Sequence, residues 1–390
     1  MNKVINYGRQ TISEEDIEGV IQVLRSNYLT QGPIGKDFEK AFSETVESEY
    51  AVAFNSATSA LHCACLALGV GPDDYVWTSP ISFVASANCA IYCGANVDFV
   101  DINLNTYNID PELLEQKLRK AETVGRLPKV LIVVHMCGLP CEMHLIYGLA
   151  QKYGFKVIED ASHATGALYD SKPVGSCLYS DITVFSFHPV KIITTGEGGI
   201  ATTNSPELCD KMQLYRSHGV TRNSALFASK ENSIQPWYYE QHSLGYNYRI
   251  SDINAALGLA QLSKLNYFVR QRNELASLYT KQLNGVGRLC VPSTCARSVS
   301  SFHLYVVRIE FSSQIEKVEM FNYFSDRNVN LNVHYIPIHT QPYFNKLGFK
   351  IGDYPIAELY YSQAVSLPIY PMLDFDDVIR VTKMLREFLS

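Results

Sequence analysis

Apolar and polar positions switch between two periods along the first two-thirds of the chain. Short runs rich in β-branched and aromatic residues predict strands: "YAVAFN" (50–55), "YVWTSP" (75–80), "NVDFVDI" (96–102), "KVLIVVH" (129–135) and "FKVIED" (155–160). Between them, "ATSALHCACLALG" (57–69), "SFVASANCAIYCG" (82–94), "DPELLEQKLRKAE" (110–122) and "MHLIYGLAQKYG" (143–154) read as helices. Strand following helix following strand predicts an α/β fold, with a large, mostly parallel sheet wrapped by helices. Such sheets bind ligands at the carboxyl ends of their strands.

Two more strand-like runs, "DITVFSF" (181–187) and "GGIATT" (198–203), enclose "SFHPVKIITTGEGG" (186–199). Lys191 therefore falls on a short connection, where functional side chains are commonly displayed. His188, although adjacent to this motif, is left out of the chemistry. Beyond residue 250 a long helical pattern (251–283) leads to a strand in "FHLYVVRIEF" (302–311) and a helix in "QIEKVEMFNYFSD" (314–326). In the last helix, "FDDVIRVTKMLREFL" (375–389), Val378, Val381, Leu385 and Phe388 share one face. These patterns predict an N-terminal arm and large domain over 1–264 and a smaller C-terminal α+β domain over 265–390.

Composition changes this picture little. The chain has 390 residues, 47% hydrophobic and 18% charged, as expected of a globular protein with a sizeable core. A formal net charge of -6 gives no electrostatic reason to expect nucleic acid or an anionic membrane as partner. "MNKVINYGRQ" has no apolar segment of a signal peptide, and "VLIVV" (130–134) is too short to span a bilayer, so a cytoplasmic location is expected. The 10 cysteines then read as reduced, buried small side chains. His135, Cys137, Cys141 and His144 crowd into "HMCGLPCEMH" (135–144), but their spacing lacks the close Cys pair and separated His pair of a zinc site. A strand end and loop is the expectation there, and no metal.

Chemistry gathers at the predicted strand ends. "FNSATSAL" (54–61) joins a strand to a helix start, where free N–H groups at Ser56, Ala57 and Thr58 suit an anion. "TSPISFVAS" (78–86) carries Phe83, "VIEDASHATG" (157–166) carries Asp160 and His163, and "SFHPVK" (186–191) carries Ser186 and Lys191. A phosphate site, an aromatic plate, a carboxylate and a lysine together suit pyridoxal 5′-phosphate. The lysine amine would react with its aldehyde, the carboxylate would hold the pyridine nitrogen, and Phe83 would stack on the ring. The nearby glycines would let the backbone approach the cofactor.

Those stretches, with "LYRSHG" (214–219), "GYNYRISDINAALG" (245–258) and "NVHYIPIH" (332–339), resemble the DegT/DnrJ/EryC1/StrS sugar aminotransferases over nearly the whole chain. The resemblance implies a fold type I, pyridoxal-phosphate-dependent transferase. It makes Lys191 the catalytic lysine, places His163 beside the ring's phenolic oxygen where most of the family has glutamine, and gives the phosphate to Ala57, Thr58 and Ser186. It takes Asn247 to the cofactor phosphate of a neighbouring subunit, hence a homodimer with shared sites. Tyr7, Asn27, Tyr28, Leu29, Thr30, Asn332, Val333, His334 and Tyr335 would line a nucleotide-sugar site, and Arg249 would face a donor carboxylate or the substrate diphosphate. "SNYLTQG" (26–32), "ASHA" (161–164) and "NVHYIPI" narrow the resemblance to transaminases of pseudaminic acid biosynthesis. This implies L-glutamate as donor and a UDP-linked 4-keto sugar as acceptor.

Overall fold

The computed structural model describes residues 3–229 and 231–390. A seven-stranded sheet fills its larger part. We number its strands β1 (Tyr50–Phe54), β2 (Tyr75–Thr78), β3 (Asn96–Phe99), β4 (Val130–Val134), β5 (Lys156–Asp160), β6 (Ile182–Ser186) and β7 (Gly199–Thr203). Their spatial order is β1-β7-β6-β5-β4-β2-β3. From β3 to β6 every pairing is parallel, as the strand–helix alternation predicts. β7 runs antiparallel to both β6 and β1. The reason is local: the connection 187–198 holds no helix, and a parallel return is usually made by a helical crossover.

The central strands are apolar on both faces because helices cover both. Val52, Phe54, Ile132, Ile158 and Val184 pack with Ala60, Leu61 and Ala64 of α3 (Ala57–Ala67), the helix that follows α1 (Glu14–Leu24) and α2 (Pro33–Val46), on one side. On the other, Phe185 and Phe187 meet Phe38 and Phe42 of a helix over Pro33–Val46, with Phe42 and Phe185 edge-to-face at 5.0 Å. β5 therefore projects its last residue, Asp160, from a strand with no free edge.

The pattern over 251–283 forms two helices, Asp252–Leu262 and Leu265–Leu283, with Ser263 and Lys264 between them. Lys264 is drawn out of the helical path toward Asp16, which it reaches at 2.5 Å. The second helix packs on a three-stranded antiparallel sheet of Leu289–Cys290, Tyr305–Ile309 and Ala364–Leu367. Val378, Val381 and Leu385 are buried in that core, and Phe388 lies partly buried against it. The N-terminal arm joins the same body: Ile5 N–H donates to Asn328 O at 2.9 Å and Asn330 N–H to Ile5 O at 2.8 Å. Arg272, fully buried, clamps this region by donating to the carbonyls of Phe302, His303 and Ile369.

Candidate active site

A cleft of about 510 Å³ opens at the carboxyl ends of β1, β4, β5 and β6. Ser56, Ala57, Thr58, Phe83, Asp160, Ser186 and Lys191 line one part of it, and Tyr7, Asn332, Val333, His334 and Tyr335 another.

Lys191 sits on the turn between β6 and β7, whose ends are tied by the Ser186–Gly199 register pair. Phe187 O accepts from the Thr195 N–H at 3.0 Å and the Thr194 hydroxyl at 2.9 Å, which fixes the loop's return. The return needs φ of +78° at Gly196, a backbone that residues with a Cβ rarely adopt. Gly199 serves a different end: a Cβ there would stand 2.6 Å from Ala57 Cα, so β7 packs directly on the start of α3. These two glycines thus shape the protein's own backbone, and of the motif's three glycines only Gly198 lines the cleft. The Lys191 amine opens to the cleft and is walled by protein elsewhere. Lost hydration pushes its pKa down to about 8, against the opposing attraction of Asp160.

Asp160 is buried and held from two directions. Ser86 Oγ donates to Oδ2 at 2.6 Å and the Ser162 N–H to Oδ1 at 3.1 Å. Ser86 is itself 2.7 Å from Ser82 one helical turn earlier. Neither serine was singled out from sequence, although both stand in "TSPISFVAS", and their i, i+4 spacing at the start of a predicted helix is the signal that could have found them.

At the other end, Ser56 caps α3. Its Oγ accepts the Ser59 N–H at 3.1 Å, and with the Ser59 hydroxyl directed to Asn55 Oδ1 at 2.7 Å, the Ser56 hydroxyl donates to Ser59 Oγ. That hydroxyl is used within the protein, while Ser56 itself lines the cleft. The N–H groups of Ala57 and Thr58, at the first two helical positions, remain free donors facing the cleft. Phe83 is 60% exposed, its ring unspent on the core. Its centroid lies 6.2 Å from that of Tyr335.

Other expected site residues sit elsewhere. His163 is buried behind the cleft wall, its Nε2 3.0 Å from the Tyr335 hydroxyl. Burial, with Lys191 and His334 nearby, holds it well below the usual histidine range. His334 lines the cleft and bonds Ser366 Oγ at 2.8 Å; burial and Lys191 lower its pKa to about 3, so it is neutral. Asn27, Tyr28, Leu29 and Thr30 are exposed and do not line the cleft of their own chain. They form the turn before Pro33–Val46, pinned where the Asp252 N–H reaches Leu29 O at 3.0 Å. Asn247 is also exposed and outside the cleft, beside β1 through the 3.4 Å bond of Asn55 Nδ2 to its carbonyl. Arg249 bridges to Phe54, outside the lining, with its Nε unpaired. His188, left out of the chemistry above, does line the cleft together with Ser186, two residues before it, as the period of an extended strand would place it. In the cysteine-rich loop, His135 bonds Glu159 at 2.7 Å and the Cys141 N–H at 3.1 Å, and His144 bonds the Tyr169 hydroxyl at 2.5 Å. Among the described residues no group of three metal-ligating side chains converges.

The donor set fits pyridoxal 5′-phosphate: a depressed lysine amine, a doubly anchored carboxylate and two unspent helix N–H groups share one cleft. This fold and site define a fold type I pyridoxal-phosphate-dependent transferase. The chain belongs to the DegT/DnrJ/EryC1/StrS aminotransferase family, whose model matches residues 10–386. It is 38% identical to the spore coat polysaccharide biosynthesis protein SpsC of Bacillus subtilis over 392 residues, 100% of this chain and 98% of that one. It is 36% identical over 377 residues to UDP-4-amino-4,6-dideoxy-N-acetyl-beta-L-altrosamine transaminase of Campylobacter jejuni, 96% of this chain and 94% of that one. Helicobacter pylori PseC, an aminotransferase involved in the biosynthesis of pseudoaminic acid, superposes with a TM-score of 0.90 at 31% identity, covering 99% of both chains. The protein is a pyridoxal-phosphate-dependent sugar aminotransferase. No helix of the described residues is long and apolar enough to cross a membrane.

Proposed function

We propose that the protein moves an amino group from L-glutamate to C4 of a UDP-linked 4-keto-6-deoxy-N-acetylhexosamine, the acceptor type of pseudaminic acid biosynthesis. The observation that carries the reading is the shared cleft of Lys191 and Asp160 at the N-terminus of α3. The narrower acceptor is supported by the Campylobacter and Helicobacter relatives. Another nucleotide-linked keto sugar is the second reading, favoured by the comparable identity to SpsC.

When bound, the cofactor supplies an aldehyde that exchanges amino groups and a ring that takes up carbanion electrons. The protein's residues do the rest. Ala57 and Thr58 N–H groups, with Ser186, hold the phosphate. Asp160, fixed by Ser86 and Ser162, keeps the pyridine nitrogen charged. Phe83 would cover one face of the ring. Lys191 Nζ takes the proton from Cα of the donor and returns one to the sugar carbon, a role suited to an amine whose pKa of about 8 lies near the working pH. A dehydratase on this fold is disfavoured because its relatives carry histidine at the lysine position.

The active unit in this reading is a homodimer. Among the described residues, the cleft lining of one chain contains a single Lys or Arg, Lys191, although cofactor, diphosphate and donor all bring negative charge. Asn247 and the turn Asn27–Thr30 are exposed on the outer surface, and Leu226, Ile234, Trp237, Tyr239 and Leu244 form an exposed apolar stretch nearby in sequence. A second copy placed there would cover that stretch and deliver Asn247 to the neighbouring phosphate. The test is a panel of UDP- and dTDP-linked 3-keto and 4-keto sugars with L-glutamate, scored by product mass. Amination of a dTDP-linked sugar in preference to every UDP-linked one would overturn the proposed acceptor.

A further inference from the structure

We propose that Cys93 and Cys65 form a thiol pair that hydroperoxides oxidise reversibly to a disulfide, with His62 activating the attacking Cys93. The pair lies outside the cleft lining, and the inference is independent of which sugar is aminated.

The pair stands where α3 packs on the helix Ala85–Tyr92. His62 and Cys65 lie one turn apart on α3, and Cys89 and Cys93 one turn apart on the second helix and its C-cap. Cys65 and Cys89 are fully buried, whereas Cys93 is half-buried and is the sulfur a small oxidant reaches first. Cys65 stands within hydrogen-bond reach of both other thiols. Cys89 spends its proton on the Ser86 carbonyl, with Sγ to O at 3.3 Å, and Cys65 donates to the Cys93 sulfur. The groups follow one another in a chain rather than surrounding one point, and among the described residues no three of them make a metal site.

His62 supplies a second donor to the same sulfur. It is 3% exposed, and its Nδ1 lies 3.3 Å from the Tyr248 hydroxyl. Burial raises the Tyr248 phenol, so Tyr248 keeps its proton and donates it to Nδ1. The imidazole proton then sits on Nε2, a buried atom with no oxygen or nitrogen partner, and Cys93 is the group in its reach. Ring contacts to Tyr92 at 5.4 Å and Tyr246 at 4.8 Å fix the imidazole. The two donors, Cys65 first and His62 next, hold the Cys93 thiol below the usual cysteine range against its burial. Cys63, also on α3, is pushed up to about 12 by burial and stays a thiol.

The Cys93 thiolate attacks the hydroperoxide, the O–O bond breaks, hydroxide or alkoxide leaves, and Cys93 becomes a sulfenic acid. Cys65 loses its proton and attacks that sulfur; the S–O bond breaks, water leaves and the S–S bond forms. The two sulfurs together give up two electrons, which the peroxide takes. A thiol reductant reverses the link.

The test treats the holoenzyme with hydrogen peroxide at neutral pH, blocks free thiols and maps peptides by mass under non-reducing conditions. The expected product is a Cys65–Cys93 linked peptide that dithiothreitol abolishes. In Cys65→Ser, Cys93 instead accumulates as a sulfenic acid trapped by dimedone, and in Cys93→Ser no link to Cys65 forms. Iodoacetamide is expected to label Cys93 about 3- to 10-fold faster than the exposed Cys290, and about 5-fold more slowly in His62→Phe, which keeps the ring contacts. A Cys93 that stays reduced while Cys290 is oxidised overturns the proposal, as does a Cys65–Cys89 link. Labelling unchanged in His62→Phe overturns the activation by His62. Peptide mapping reads the thiols directly, so the result stands apart from any failure of the proposed transamination.

Discussion

The Ser86 hydroxyl lies 2.6 Å from Oδ2 of Asp160, tying the carboxylate at the end of β5 to the first turn of a neighbouring helix, Ala85–Tyr92. Asp160 thus owes its direction to a residue 74 positions away in sequence. Ser86→Ala is expected to lower kcat about 10-fold by freeing one carboxylate oxygen, and Asp160→Asn by 100-fold or more. Steady-state rates of the two variants check this; a Ser86→Ala rate equal to wild type shows that the strand alone orients the acid.

Lys191 reacts only as the neutral amine. With a pKa of about 8, roughly a tenth of it is neutral at pH 7, against about one part in three thousand for an ordinary lysine at 10.5. The rate at which apoprotein takes up pyridoxal phosphate is therefore expected to climb about 10-fold from pH 6 to 7 and to level off above 8. Stopped-flow absorbance measures it, and a rise continuing to pH 10 contradicts the depressed amine.

The same shift has a stability consequence. The folded pKa lies below the unfolded value, so the unfolded chain binds the proton more tightly and the charged amine costs stability at every pH below about 8. The cost fades between 8 and 10.5. Lys191→Met should raise the apoprotein's Tm at pH 7, abolish transamination, and lose its thermal advantage as pH approaches 10.5. A lower Tm at pH 7 refutes the sign.

Gly199→Ala places a methyl group against the backbone of Ala57, with Ala57 Cα at 2.6 Å. Neither backbone can yield without shifting the start of α3. A destabilisation of about 1–3 kcal/mol is expected, with weaker cofactor binding because the Ala57 and Thr58 N–H groups move. Denaturant unfolding and a cofactor titration test the two effects independently.

If the site is shared between two copies, Lys191→Ala and Asn247→Ala lie in different subunits of each site. Each variant alone should be inactive or nearly so. Mixed and refolded together, half of the dimers are mixed and hold one intact site in two, giving about a quarter of wild-type activity. Activity no greater than the sum of the separate variants would place Asn247 in its own chain's chemistry.

The parallel core was legible because its strands are buried on both faces and its helices announce themselves by period. The reversal at β7 was not, since periodicity carries no strand direction; the absence of a helical pattern in the Lys191 connection did carry it. The break at Ser263–Lys264 was hidden because both flanking segments are helical and the cause, Asp16, lies far off in sequence. Within the site, Lys191, Asp160, Phe83 and the start of α3 could be named since each stands at a strand end. Ser86 was passed over: its i, i+4 spacing from Ser82 was visible, but its bond to Asp160 arises only when two strand ends come side by side. His188 was misjudged although it stands two residues after Ser186, a spacing that keeps both on one face of an extended strand. The turn Asn27–Thr30 was placed in the cleft by resemblance alone, while within one chain it faces outward.

The arm that carries Tyr7 into the cleft has a bearing on how the chain assembles during synthesis. Ile5 pairs with Asn328 and Asn330, and the Tyr7 carbonyl accepts from the Ile369 N–H at 3.1 Å. None of these partners exists until most of the polypeptide has left the ribosome. The large sheet needs only the first two hundred residues and can close earlier, so the first residues translated are among the last to be placed. A nascent chain halted midway would carry a formed sheet, an exposed reactive lysine and no wall on the arm side of its pocket.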